Sequence, residues 1–203
     1  TAAPSASPAP SPTAAPSGAT GCTLFPSTNV WNKAVTGLPV RSDSAALVNA
    51  IGSTATLHPD FSNSGGYGIP FNLTDAATPR YTVSFYYPDE SDPGPYPIPA
   101  NPKIEGGSDH HLLSWDTGAC YLYEIYDASL SGTSWSGGSG AIWDLRSNAL
   151  RPDGWTSADA AGLPILPGLV RYDEVAAGAI RHAIRFTAPY TARSDRKSTR
   201  LNS

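Results

Sequence analysis

The chain has 203 residues, 15% of them charged, with 20 prolines, 19 glycines, two cysteines and a formal net charge of −4. An acidic balance argues against nucleic acid or an anionic membrane surface as the main partner. No stretch is long and apolar enough to span a bilayer. The composition suits a neutral partner such as a plain extracellular polysaccharide.

Residues 1–20 contain only Thr, Ala, Pro, Ser and Gly, and the first charged residue is Lys33. Without large apolar side chains nothing offsets the entropy of ordering such a stretch. Its prolines favour an extended, semi-rigid spacer. Residues 1–21 therefore read as a disordered Pro/Ala/Ser/Thr linker, of the kind that follows a removed export signal or tethers the chain to an upstream module. Residues 194–203 (SDRKSTRLNS) are basic and aperiodic. They resemble translated sequencing-adapter read-through at the end of a metagenomic reading frame, the alternative being a disordered basic tail. On that reading the native chain is cut short near Arg193. Removing the tail leaves 10 basic and 16 acidic residues and a net charge of −6. Residues 22–193, about 170 in number, are enough for a single domain with a sizeable core.

Within the domain, residues 42–51 predict a short helix, with Ser42 or Asp43 as cap and Gly52 as stop. Residues 80–87 (RYTVSFYY) read as a strand from their β-branched and aromatic content. Residues 89–102 are too rich in proline for an inner strand and predict a rigid surface loop. Residues 110–116 and 119–126 then form a hairpin about Thr117 and Gly118. A two-residue turn sets Asp116 opposite Ala119, Trp115 opposite Cys120, Leu113 opposite Leu122 and His111 opposite Glu124. Both faces of this hairpin are largely apolar, so it belongs at the centre of a sheet. Further on come a strand over 140–145, a short helix over 156–161, a buried loop over 162–168, one helical turn over 173–177 and a strand over 179–187. The last of these places Ile180, His182, Ile184 and Phe186 on one face. Strands joined by long Pro/Gly-rich loops, with only brief helices, predict a mostly β fold: a β-sandwich or a jelly-roll-like barrel.

The even cysteine count in an exported chain suggests a Cys22–Cys120 disulfide that staples the chain entry to the core, the alternative being two buried free thiols. Several blocks point the same way about compartment. They are CTLFP at 22–26, NVWN at 29–32, LHPDF at 57–61, DPGPYPIP at 92–99, EGG at 105–107 before Asp109 and His111, the long run from Gly154 to Val175, and RHAIRF at 181–186. Together they resemble an uncharacterised family of secreted bacterial proteins over residues 22 to about 191. The resemblance implies export and further strands beyond the present C-terminus. The family tends to have Arg where this chain has His110, and it brings no established reaction.

Four groups of residues carry candidate chemistry. His111 and Glu124 face each other in the predicted register, and such a pair can act as general acid or base with an orienting partner, or simply fill the sheet as a satisfied polar pair. Among the carboxylates, Glu124 and Asp144 sit beside aromatic residues, and Asp109 lies just before the hairpin. Glycoside hydrolysis needs two carboxyls about 5–10 Å apart. His58, His111 and His182 could form a site for a divalent transition metal if the fold gathers them. Trp135, Trp155 and Tyr96, with Tyr67, Tyr86 and Tyr87, offer aromatic faces on which sugar rings stack, ordinary core packing being the competing role. The leading expectation is a secreted polysaccharide-active glycoside hydrolase using Glu124 and a second carboxylate, without a cofactor. The alternatives are a non-catalytic carbohydrate-binding module and a metal-dependent enzyme on an extracellular polymer.

Overall fold

A computed structural model describes residues 21–59, 68–188 and 190. The linker expected before residue 21, Phe61, Tyr67, the break expected near Arg193 and residues 194–203 lie outside these residues. Among the described residues the fold is mostly β: nine short strands in three sheets, with two short helices. It is sandwich-like and not closed into a barrel. No helix among the described residues is long and apolar enough to cross a membrane.

The helix α1 (Ser44–Ile51) lies near the start of the chain and buries none of its residues. The main sheet contains β1 (Phe71–Thr74), β5 (Leu112–Asp116), β6 (Tyr121–Tyr126) and β9 (Ser139–Asp144), in the order β1-β5-β6-β9. The β1–β5 pair is parallel and the other two are antiparallel. Alternation along β5, β6 and β9 sends Leu113, Leu122, Glu124, Ala141 and Trp143 to one face, where Phe25, Ile165 and Leu166 cover them. Leu112, Tyr123 and Ile125 go to the other face. Two small sheets cover that side. One pairs β2 (Arg80–Tyr81) with β4 (Tyr96–Pro97), and the other orders β3 (Val83–Phe85), β8 (Ser134–Gly137) and β7 (Ser129–Ser131) as β3-β8-β7. Val83, Tyr96, Ile98 and Trp135 are their contribution to the second core. The hairpin is thus central and buried on both faces, as its two apolar faces require. The helix α2 (Tyr172–Ala176) follows the loop at 162–168.

The register of the hairpin differs from the sequence expectation by two residues. Asp116 pairs with Tyr121, Trp115 with Leu122 and Leu113 with Glu124. The turn spans 117–120 because the Asp116 side chain takes the Ala119 N–H at 2.8 Å and Cys120 adopts a left-handed φ of 58°. Arg80 fixes the same Asp116 carboxylate from the neighbouring sheet at 2.8 Å. An even shift leaves every side chain on its expected face but moves its partner, so His111 now lies beside Tyr126, with ring centroids 5.8 Å apart.

Other elements differ for local reasons. The strand expected over 80–87 is divided into β2 and β3, each paired in a different small sheet. The proline-rich loop turns inward: Tyr96, Pro97 and Ile98 are fully buried, and β4 is a two-residue edge that tolerates proline. Residues 156–161 do not form a helix. The Asp159 N–H bonds to Ser157 Oγ at 2.9 Å and the Ala161 N–H to Asp159 Oδ1 at 2.7 Å, side-chain bonds that compete with helical ones. Residues 179–187 form no strand, since their backbone donors reach different segments, Ala183 to Trp31 and Arg185 to Gly168. Ile184 and Phe186 are exposed there. The buried loop at 162–168 is as expected, with Ile165 and Leu166 at 0% exposure.

Cys22 and Cys120 form the expected disulfide, closing a sequence separation of 98 residues. It joins the entry segment, whose Phe25 packs edge-on against Trp143, to the hairpin turn. Cross-linking so long a loop removes much unfolded-state entropy, so Cys22→Ser with Cys120→Ser should lower the unfolding free energy by about 2–5 kcal/mol. Urea unfolding of the two forms measures this, with a larger m-value expected for the form without the cross-link, whose unfolded chain exposes more surface.

Candidate binding cleft

Glu124 is fully buried on the covered face of β6. Its Oε1 accepts the N–H groups of Ile165 and Leu166, both at 2.9 Å, and its Oε2 accepts Ile165 N–H at 3.0 Å and Trp143 Nε1–H at 3.2 Å. Burial pushes its carboxyl up to about 7, and the Leu166, Ile165 and Trp143 donors together with His111 keep it from rising further. The Ile165 and Leu166 N–H groups stand at the start of the tight turn Leu166–Gly168, so the carboxylate holds that turn to the sheet. His111 is held separately. Its Nδ1 contacts the Glu105 carboxylate, and its Nε2 lies 3.0 Å from the Ala158 carbonyl oxygen.

The remaining sequence candidates are dispersed. Asp144 pairs with Tyr121 in the β6–β9 ladder, whereas Glu124 pairs with Ala141, so the two carboxyls leave opposite faces of the sheet. They do not flank one bond. Asp144 instead faces Arg146 at 2.9 Å, which holds its carboxyl below the usual range. It lines a second cavity of about 270 Å³ with Tyr121, Trp143 and Arg151. Asp109 is exposed and accepts a bond from Ser108 at 3.2 Å. Tyr96 and Trp135 belong to the second core, not to a surface. Trp155 is half-buried with the Arg151 guanidinium 5.4 Å from its ring centre. His58, His111 and His182 are not gathered: His111 is engaged as above, and His182 meets the Ala183 carbonyl and Glu174 at 2.8 and 3.1 Å. No group of three or more metal-ligating side chains occurs among the described residues.

The geometry that does form a site lies on the outer side of the β3-β8-β7 sheet. An open cleft of about 490 Å³ is lined by Ser84, Phe85, Tyr86, Tyr87, Tyr126, Asp127, Ser129, Ser136, Gly137 and Gly138. Tyr86 and Tyr87 continue β3, with their N–H groups on the carbonyls of Gly137 and Gly138, both at 2.9 Å. Their rings meet edge to face at 4.7 Å, and Tyr86 is 78% exposed. Tyr126 forms the facing wall, and any side chain at position 138 would collide with its ring, so Gly138 sets the width of the cleft. Asp127 is the only charged residue in the lining. Its backbone has a φ of 51°, and that of its neighbour His110 a φ of 46°. Backbone bonds from Asp127 to Asp109 and from Ala128 to His110 hold this pair of left-handed residues in place. The two side chains meet at 3.3 Å between His110 Nδ1 and Asp127 Oδ1.

Tyr86 and Tyr87 were visible in the sequence as an aromatic pair beside a proline-rich segment. Asp127 was visible only as one carboxylate among many, and nothing singled it out without the register that places it beside the cleft. No protein-family model, curated protein or solved structure matches this chain.

The Glu124 environment has a measurable consequence. Its folded value near 7 lies above its ordinary 4.5, so the native state binds more protons than the unfolded state between these limits. Its contribution to stability is complete below about 4.5 and is lost as pH rises through about 7. Glu124→Gln should remove that slope, because an amide does not ionise and stability then no longer falls on this group's account between about 4.5 and 7. Urea unfolding of both proteins at pH 4, 5, 6, 7 and 8 tests both statements.

Proposed function

We propose that this domain binds polysaccharide outside the cytoplasm through the tyrosine-walled cleft. The observation that carries the reading is the union, in one open cleft, of exposed Tyr86 and Tyr87 rings with serine hydroxyls and a single carboxylate. A pyranose offers apolar C–H faces that pack on aromatic rings and hydroxyls that bond to polar edges. The cleft is open to solvent, which suits a polymer chain better than a small ligand that must be enclosed. The disulfide fits an oxidising compartment, as do the linker composition and the resemblance to exported bacterial proteins. Hydrolysis of the bound polymer, the leading expectation from the sequence, would need carboxyls at this cleft, where Asp127 stands and Asp109 is linked to it by a backbone bond.

Incubating the purified protein with a panel of soluble and insoluble polysaccharides, and following both retention and released sugars, tests the reading. Retention without products supports binding alone, and retention with products adds hydrolysis. Tyr86→Ala and Asp127→Asn should each weaken retention about tenfold, equivalent to about 1.4 kcal/mol. Trp155→Phe, away from the cleft, should leave it unchanged. Absence of retention on every polymer would overturn the proposal.

A further inference from the structure

The floor of the cleft carries a pattern that bears on the shape of the ligand, and the inference drawn from it rests on the binding reading above. Ser84 pairs with Ser136, and Ser136 pairs with Ser129. The order β3-β8-β7 therefore sets three serines side by side in a row that runs across the strands. Alternation puts all three on the outer face, opposite Val83 and Trp135, which turn inward to the core. All three are exposed and line the same cleft. None has a hydrogen bond to another described side chain or backbone group, so each hydroxyl is available to a ligand as donor and acceptor.

Neighbouring strands lie about 4.8 Å apart, so the row presents hydroxyls at about that interval over about 10 Å, close to the length of two pyranose units laid end to end. A glycan chain running along the row would meet one hydroxyl per sugar. Its ring faces would lie against the Tyr86 and Tyr126 walls, and Asp127 would accept hydroxyl protons at one side. An extended, ribbon-like chain advances in a nearly straight line by about the strand interval per sugar, so each sugar, alternately turned over, brings a hydroxyl-bearing edge to one serine. A helical chain turns its edges away within two or three units and loses that match. Asp127, paired with His110, is the sole charged residue in the lining, which offers a polyanionic glycan no lysine or arginine.

We propose that the cleft selects neutral glycans of extended conformation, of the β-1,4-linked type, bound across the strands with the Ser84–Ser136–Ser129 row as a ruler. The test is calorimetric titration of the whole chain with β-1,4-linked gluco- and xylo-oligosaccharides of one to six units, and with α-1,4-linked gluco-oligosaccharides of the same lengths. The expected result is at least tenfold tighter binding of the extended series, with the main gain in affinity between one and three units. Ser136→Ala, at an exposed strand position with no structural bond, should cut the affinity for the trisaccharide five- to tenfold. Equal binding of the two series, or an unchanged trisaccharide affinity in Ser136→Ala, would overturn the ruler. If Tyr86→Ala still weakened binding about tenfold in that case, the cleft itself would stand. Failure of every oligosaccharide to bind, together with failure of the polymers, would overturn both.

Discussion

The arrangement of this domain depends on one buried carboxylate. Glu124 sits at the centre of the sheet, pointing into a layer that otherwise contains Leu113, Leu122, Trp143, Ile165 and Leu166. A charge in such a place is costly unless donors surround it. Here the donors are the indole of Trp143 from the adjacent strand and the backbone N–H groups of Ile165 and Leu166. The loop at 162–168 has no strand to pair with, and the N–H groups of Ile165 and Leu166 would be buried without partners. The carboxylate and the loop therefore satisfy each other. Removing either leaves the other's polar groups stranded beneath the core.

The same logic holds the rest of that face together. Arg151 stacks near Trp143 and Trp155, with its carbon 5.6 and 5.4 Å from the ring centres. It donates to the carbonyls of Glu90 and Thr156 at 2.8 and 2.9 Å and contacts the Asp92 carboxylate. Asp92 in turn accepts the Ile142 N–H of β9 at 2.8 Å, and Glu90 accepts the Thr156 N–H at 3.0 Å. One guanidinium thus joins the turn at 88–90, the edge of the sheet and the loop after residue 154. Irregular segments with few strand partners are anchored by side-chain bonds to the sheet, which is how so loop-rich a chain buries two cores with only short strands.

Much of this was legible in the sequence, and the limits are physical. The central hairpin followed from its two apolar faces, and the disulfide from two cysteines at the start of the domain and at the turn. The register did not, because a Thr-Gly pair signals a two-residue turn and only the Asp116 side chain, held by Arg80 from a distant strand, selects the longer one. The face of each residue survived because the shift was even; an odd shift would have reversed it. The serine- and glycine-rich stretch that forms β7 and β8 lacks the β-branched density that marks strands, and its pairing with β3 is parallel and non-local. Tyr96 and Trp135 read as surface aromatics because prolines and glycines flank them. Burial of the flanking segments, which local composition cannot report, put them in the core.

That division explains where ligand chemistry is available. Every carboxylate near the core of this domain is already engaged: Glu124 by backbone donors, Asp116 by Arg80, Asp92 by Arg151 and Glu105 by His111. Groups saturated in this way hold the fold and have little capacity left for an external molecule. The outer face of the β3-β8-β7 sheet is different. Its inner residues pack against Tyr96 and Ile125, so the sheet is rigidly backed, while its serines and the Tyr86 ring have no such duty. The left-handed backbones of His110 and Asp127 at its border fall where the main sheet ends and the small sheet begins, and two cross-strand backbone bonds fix them there. A rigid base, uncommitted hydroxyls and a carboxylate held at the rim by its backbone are what a preorganised binding surface requires.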